Sequence, residues 1–293
     1  MVYLAASIVC SVLVSVLLKI ARGQNIPIAQ AVAVNYIVAV VLTMLVLKPD
    51  LSNPAAFLPT WWLFAALGVL LPSVFVIMGK AVDTVGIVKS DAAQRLSLFL
   101  PVAASFVIFG ETLNEGRLTG IVLAFAALFC LLWKSEKTKK NAKLPQQIGL
   151  LLGVWAGYGV IDILFKQLAK SGTAFSGNLL IAFCLAGILM FGYLFAKSTK
   201  WTKEGIIGGI LLGGLNFLNI VTYISAHQAM SDNPTMVFAG MNMGVIVLGT
   251  LVGALAFKEK ISNINAAGIS VALAAIACLF YWEEMRAWFD HLF

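Results

Sequence analysis

Apolar residues in this chain gather into long runs, and most of the polar residues fall in short clusters between them. The pattern predicts ten helices, over residues 2–20, 28–47, 60–79, 85–108, 115–133, 148–167, 176–196, 205–225, 233–256 and 263–282. Runs of ~20 residues suffice to carry a helix across a hydrocarbon core of ~30 Å. Period-two alternation does not dominate, which argues against a β-barrel. Two breaks are well marked. Residues 134–147, KSEKTKKNAKLPQQ, are polar and basic and carry a proline. Ser231-Asp232-Asn233-Pro234 has the form of a helix start, with a capping residue ahead of a first-turn proline.

The chain also repeats itself. Residues 107–133, VIFGETLNEGRLTGIVLAFAALFCLLW, return 148 positions later as LAFKEKISNINAAGISVALAAIACLFY. Glu111 falls on Glu259, Gly120 on Gly268, Cys130 on Cys278 and Leu131 on Leu279. The expected organisation is a five-helix repeat over 1–133, a basic linker over 134–147, a second five-helix repeat over 148–282 and an interfacial tail over 283–293. Five spans per half is an odd number, so the second half enters from the opposite side. The expected fold class is an all-α integral membrane protein of ten transmembrane helices in two inverted repeats.

Composition agrees with a bilayer environment. Hydrophobic residues make up 61% of the 293 positions and charged residues 11%, against about 25% charged in a soluble domain. Residues 1–18 read as a retained first span, because no basic region or cleavage pattern precedes Lys19. The four cysteines lie inside apolar runs and read as packing residues. Of the connecting Lys and Arg residues, 14 lie on the side of Lys19, Lys80, the linker, Lys197 and Lys258, and 5 on the side of Lys48, Arg117 and Arg286. The positive-inside rule then puts the linker in the cytoplasm and both termini outside, in a multi-pass cell-membrane protein. The net charge of +7 is accounted for by this asymmetry and implies no nucleic-acid partner.

With these features laid out, the chain resembles the drug/metabolite transporter superfamily, in particular its EamA-type ten-helix members. The resemblance covers nearly the whole chain. Its most specific mark is LFLPVAASFVIFGETLNEGRLTGIVLAFAALFCLL, with Pro101 within the fourth span and Gly110-Glu111 at the turn that follows. The ninth span repeats this as GVIVLGTLVGALAFKEKISNINAAGISVALAAIACLF, where Lys258-Glu259 replaces Gly-Glu and Gly249 replaces Pro101. Members of this family usually start inside the cell and carry a basic loop after the second helix. Here that loop is KPDLSNPAAFLPT, and the charge count is followed instead. The resemblance implies a cavity lined by the first, third, fourth, sixth, eighth and ninth helices.

Several residues stand out as candidates for chemistry. Arg95 lies well inside the fourth span, ~13–15 Å deep at 1.5 Å per residue. An arginine there costs at least ~2.5 kcal/mol on insertion scales and should face the protein interior. Asp91, one turn back, can pair with it, and Gln94 adds a hydrogen-bonding arm. Arg95 reads either as half of an internal ion pair or as a cation that grips a carboxylate or phosphate. Asp162, in the sixth span, has Lys166 one turn on. It reads either as a local pair with a snorkelling lysine or as a carboxylate that binds a proton or a substrate amine. Arg95 on one repeat and Asp162 on the other would suit a zwitterion.

Trp155, Tyr158, Asn216, Asn219, Tyr223 and Asn242 fit the implied cavity lining, while Asn35 and Tyr36 fit it less well. Each reads equally as an interhelical contact. His227 reads as structural. Small-residue stripes such as Gly205, Gly209 and Gly213 predict close helix contacts. Pro72 and Pro101 are hinge candidates, and Glu111 and Glu259 are structural candidates at the helix ends.

The functional expectation is a secondary transporter of small polar metabolites, such as amino acids or organic anions, working by alternating access and driven by a gradient or by exchange. Its partners would be a small-molecule substrate, the lipid bilayer, and a coupling proton or counter-substrate; no cofactor is implied. A multidrug or lipophilic-cation exporter is the alternative within the class, although Arg95 argues against it. A membrane enzyme is disfavoured by the lack of a zinc, serine-hydrolase or phosphate-loop motif.

Overall fold

The computed structural model describes residues 1–24, 26–132, 144–258 and 263–290. Helix accounts for 87% of the structure, and no strand occurs among the described residues. Among the described residues eleven α-helices follow in order: α1 Val2–Gly23, α2 Ile28–Leu42, α3 Trp61–Val85, α4 Ile87–Leu96, α5 Phe99–Val107, α6 Glu115–Leu132, α7 Leu144–Ala169, α8 Phe175–Ala196, α9 Lys203–Ala229, α10 Pro234–Phe257 and α11 Asn263–Asp290. A π turn, Thr43–Leu47, extends α2, and a 3₁₀ turn, Pro54–Thr60, leads into α3. Seven helices among the described residues are long and apolar enough to cross a membrane: α1, α2 with its π extension, α3, α7, α8, α9 and α10. Large apolar side chains such as Val107, Phe195 and Leu255 are exposed on the surface, as expected where lipid is the solvent.

The chain divides into two compact units. Unit 1 comprises Met1–Ala81 and Val160–Ala229; unit 2 comprises Val82–Gly159 and Met230–Phe293. The division falls inside α3 and α7.

Unit 1 is built where α9 lies along α2. Lipid gives helices no hydrophobic reason to associate, so close van der Waals packing has to do it. Gly205, Gly209 and Gly213, spaced one turn apart, provide that approach. A Cβ added at Gly209 would sit 2.5 Å from Val34 Cβ and 2.8 Å from the Ala31 carbonyl oxygen. One added at Gly213 would sit 2.6 Å from Val38 Cβ. Below this stripe, buried Gln30 ties down the connection into α9. Its amide donates to the Lys200 carbonyl, and its oxygen accepts from the Thr202 amide at 3.0 Å and the Thr202 hydroxyl at 3.2 Å. The Thr202 hydroxyl in turn accepts from the Gly205 amide at 3.1 Å, satisfying one of the free donors at the start of α9. On α8, Gly177 meets the Phe57 ring, and the Thr60 hydroxyl donates to Asn178 Oδ1 at 3.0 Å.

Unit 2 is built on α6 packed against α11. Gly116 and Gly120 face Trp282 and Leu279, and a Cβ at Gly120 would lie 2.5 Å from Leu279 Cγ. α11 continues past residue 282 to Asp290, with a kink at Tyr281 (φ −130°, ψ 23°). The tail predicted from residue 283 therefore begins as helix. α10 starts at Pro234, where the Asn233-Pro234 pair predicts it.

The predicted fourth span is not one helix. The hydrogen-bond ladder breaks between α4 and α5 at Ser97–Leu98, where both residues keep right-handed helical angles (φ −59°, ψ −21° and φ −49°, ψ −29°). Proline has no N–H and its ring crowds the carbonyl four residues back; for Pro101 that carbonyl belongs to Ser97. The Leu100 amide takes that oxygen instead, at 3.0 Å, and the Leu98 amide turns back to Arg95 at 3.2 Å. Pro72, by contrast, sits within a continuous α3.

Candidate functional site

In unit 2 the break in α4–α5 sets the surroundings of Arg95. The arginine lies in the last turn of α4. Its side chain is 17% exposed, and its Nε lies 3.6 Å from Asp91 Oδ1, one turn back. That separation is too long for a hydrogen bond, and Arg95 Nε is buried without one. Asp91 itself is 43% exposed. Arg95 is therefore a largely buried cation whose carboxylate partner faces partly outward and holds it loosely.

The bonding around the break follows from the missing Pro101 N–H. Because the Leu100 amide is diverted to Ser97, the Leu96 carbonyl loses its helical donor. The Trp155 indole N–H donates to it at 3.1 Å. The Ser97 hydroxyl donates to the Gln94 carbonyl at 2.6 Å. α7 can come this close because of Gly159, where a Cβ would lie 2.6 Å from Leu100 Cδ1 and 3.0 Å from the Ser97 oxygen. Trp155 thus braces the backbone beside Arg95. Tyr158 and Gln94 are half-buried in the same unit. Asn242 donates to the Phe238 carbonyl in its own helix at 3.1 Å, which satisfies half of its amide locally.

The other end of α5 holds a second cluster, anchored by Glu111, whose side chain is fully buried. The carboxylate accepts from the Thr235 amide at 2.9 Å and the Thr235 hydroxyl at 2.7 Å. It also lies 3.1 Å from Arg117 Nε. Arg117 donates further to the Thr112 carbonyl and to Asn233 Oδ1. Asn233 makes no side-chain cap of its own; a carboxylate from the α5–α6 turn caps α10 instead, where the helix dipole favours negative charge. Gly110 adopts φ +70° to bring Glu111 around. Glu259 lies outside the described residues.

In unit 1 the candidates line α9 and its neighbours. Asp162 accepts from the Tyr223 hydroxyl at 3.3 Å. The Tyr223 ring packs edge-on against Phe165 and against His227, with centroids 6.3 Å and 4.8 Å away. Lys166 does not snorkel. It is fully buried and donates to the His227 carbonyl at 3.4 Å, near the end of α9 where the helix dipole favours a cation. The asparagines bridge helices: Asn216 donates to Asn35 Oδ1 at 3.1 Å, and Ser7 donates to Asn219 Oδ1 at 2.8 Å. Asn35, which fits the implied cavity lining less well, is fully buried and makes an interhelical contact as the partner of Asn216. Gln30, Arg117 and Thr235 went unnoticed in these roles. A lone glutamine or arginine beside an apolar run is the only local signal they give.

The fold and these residues define a multi-pass, all-helical membrane protein with polar groups buried in its helices. No family model matches the chain. An uncharacterized protein of Haemophilus influenzae is 56% identical over 286 residues, covering 96% of this chain and 98% of that protein. The chain belongs to the same family as that protein. A protein of known crystal structure aligns with a TM-score of 0.71 at 15% identity, over 96% of this chain and 99% of its own. That likeness shows a shared fold.

Proposed function

We propose that the chain is a secondary transporter of small polar metabolites, such as amino acids or organic anions, of the EamA type within the drug/metabolite transporter superfamily. The observation that carries this reading is Arg95. A cation inside a membrane span is costly; in this reading α4 and α5 form one span, and Arg95 Nε is buried there without a hydrogen bond while Asp91 stands 3.6 Å away. Arg95 sits in the last turn of α4, where the backbone hydrogen-bond ladder is interrupted ahead of Pro101. A carboxylate or phosphate would give the guanidinium the bidentate partner that Asp91 does not. The Asp162–Tyr223 pair in unit 1 is the candidate for a substrate amine or a coupling proton.

Ten spans follow if α4 and α5 count as one and α6 and α11 also cross. Three features support an inverted repeat. Gly110 and Lys258, 148 positions apart, both take left-handed backbone conformations after equivalent helices. Lys48 and Ser198 do the same after α2 and α8. Equivalent helices also pack as partners: α2 with α8, α5 with α10 and α6 with α11. Alternating access, with the linker cytoplasmic and both termini outside, completes the reading.

The test is uptake into proteoliposomes of labelled amino acids and organic acids. Saturable uptake that Arg95→Ala abolishes and Arg95→Lys partly retains is the expected result. Uptake of lipophilic cations that is indifferent to Arg95 would move the chain to the exporter class.

A further inference from the structure

Unit 1 contains a cavity of about 310 Å³ that none of the residues above explains. It lies between the end of α1 and the starts of α2 and α9. Its walls are aliphatic, including Leu17 and Ile20 on α1 and Ile207 and Leu211 on α9. Its volume matches the low end of small-molecule sites. Ile20, Ile207 and Leu211 are also exposed, so the wall runs out onto the surface as a groove. The polar lining includes Gln24, just past α1, and Glu204, in the first turn of α9. Glu204 is the one charged residue that lines it among the described residues.

Both polar groups sit at the ends of helices long enough to span a membrane, at the depth where lipid headgroups lie. Tyr223 is nineteen residues beyond Glu204 along α9, about 28 Å away at 1.5 Å per residue. The groove is thus remote from the polar residues at the other end of that helix. An aliphatic slot open to the side, with a carboxylate at its headgroup end, fits an amphiphile carrying positive charge. The Glu204 carboxylate and the Gln24 amide oxygen both accept hydrogen bonds, so they favour an ammonium that has N–H groups over a quaternary one. In such a headgroup the phosphate lies between the acyl chains and the ammonium, four bonds from the nitrogen, and the neighbouring Arg22 and Lys203, exposed at the same helix ends, suit it. A purely anionic headgroup would meet Glu204 with repulsion.

We propose that this groove holds one acyl chain of a membrane phospholipid whose headgroup carries a primary ammonium, received by Glu204 and Gln24. The site depends on the membrane setting of the fold and not on the transported substrate.

The test uses purified full-length chain, stripped of lipid in detergent and supplied with dioleoyl phosphatidylethanolamine, phosphatidylcholine or phosphatidylglycerol. Thermal unfolding and lipid retention in native mass spectrometry are the readouts. Phosphatidylethanolamine should raise Tm by several degrees more than the other two, and its retention should exceed theirs about tenfold. Glu204→Gln should bring it down to the level of phosphatidylcholine. Gly208 lines the groove, and a Cβ there meets only ordinary contacts, 3.7 Å from Ile26 Cγ2. Gly208→Ala should therefore keep the response, while Gly208→Phe should fill the slot and abolish retention of all three lipids. Equal stabilisation by phosphatidylglycerol, or a preference that survives Glu204→Gln, would overturn the assignment. Dodecylammonium acting as strongly as the phospholipid would replace it with a small-amine site. If Gly208→Phe fails to fold, the exposed Glu204 decides alone.

Discussion

Replacing Glu111 should unfasten unit 2, and the size of the effect follows from the contacts it makes. The carboxylate is fully buried, caps the Thr235 amide and hydroxyl, and pairs with an Arg117 that is itself only 16% exposed. Glu111→Ala strands that cation, which typically costs 3–5 kcal/mol when a buried pair loses one partner. Arg117 keeps the Thr112 carbonyl and Asn233, so the lower end applies, about 3 kcal/mol. Leaving the Thr235 donors unpaired adds roughly 1 kcal/mol, the low end for an orphaned buried donor. The expected loss is therefore about 4 kcal/mol. Glu111→Gln keeps an oxygen for Thr235 and gives up the charge, and should lose about 2 kcal/mol, in the range for a bond to a charged partner. Combined with Arg117→Met, the double-mutant cycle should show coupling of roughly 1.5–3 kcal/mol. Reversible unfolding in mixed micelles, followed by far-ultraviolet circular dichroism, measures the wild type, the three single variants and the double variant. A loss below about 1 kcal/mol for Glu111→Ala, or zero coupling, would refute the view that Glu111 caps α10 and holds Arg117.

Two further substitutions probe the helix contacts. Gly209→Ala forces α9 away from Val34 and the Ala31 carbonyl and should cost about 1–3 kcal/mol. Gly214→Ala, five residues on with nothing within 4 Å, should be neutral or stabilise by up to about 1 kcal/mol; equal effects at the two sites would contradict the packing described. Trp155→Phe keeps an aromatic ring, though a smaller one, and removes the donor to Leu96. It should lower stability by about 1 kcal/mol, read by the same micelle unfolding, and an unchanged stability would mean that the indole does not brace the break.

Much of the fold was readable in the apolar runs, because in lipid every backbone group must be satisfied within the helix and length then marks a span. Asn233-Pro234 marked the start of α10 and the Gly205–Gly213 stripe marked a contact face, since both signals are local. The tertiary arrangements were not readable. Pro101 announced a distortion, but the apolar run 85–108 gave no sign that it would fall at Ser97–Leu98 or that Trp155 would satisfy the freed carbonyl 59 residues away. Asn233 looked like its own cap, and the true cap comes from a residue 124 positions removed from Thr235. Lys166 looked like a snorkelling lysine because its stem is long, yet the carbonyl it meets at the end of α9 comes from a distant part of the chain. The candidate residues were visible as polar interruptions, but their partners were not.

The most direct test of the transporter reading is thermal stabilisation of the purified protein by amino acids, organic acids, sugar phosphates, nucleotide sugars and quaternary amines, with Arg95→Ala measured beside it. A ligand at 100 times its Kd stabilises by about 2.7 kcal/mol, enough to move Tm by several degrees. The account predicts stabilisation by an anionic or zwitterionic metabolite, lost in Arg95→Ala. Stabilisation by lipophilic amines that is equal in both proteins would contradict it and leave Arg95 as a structural ion pair with Asp91.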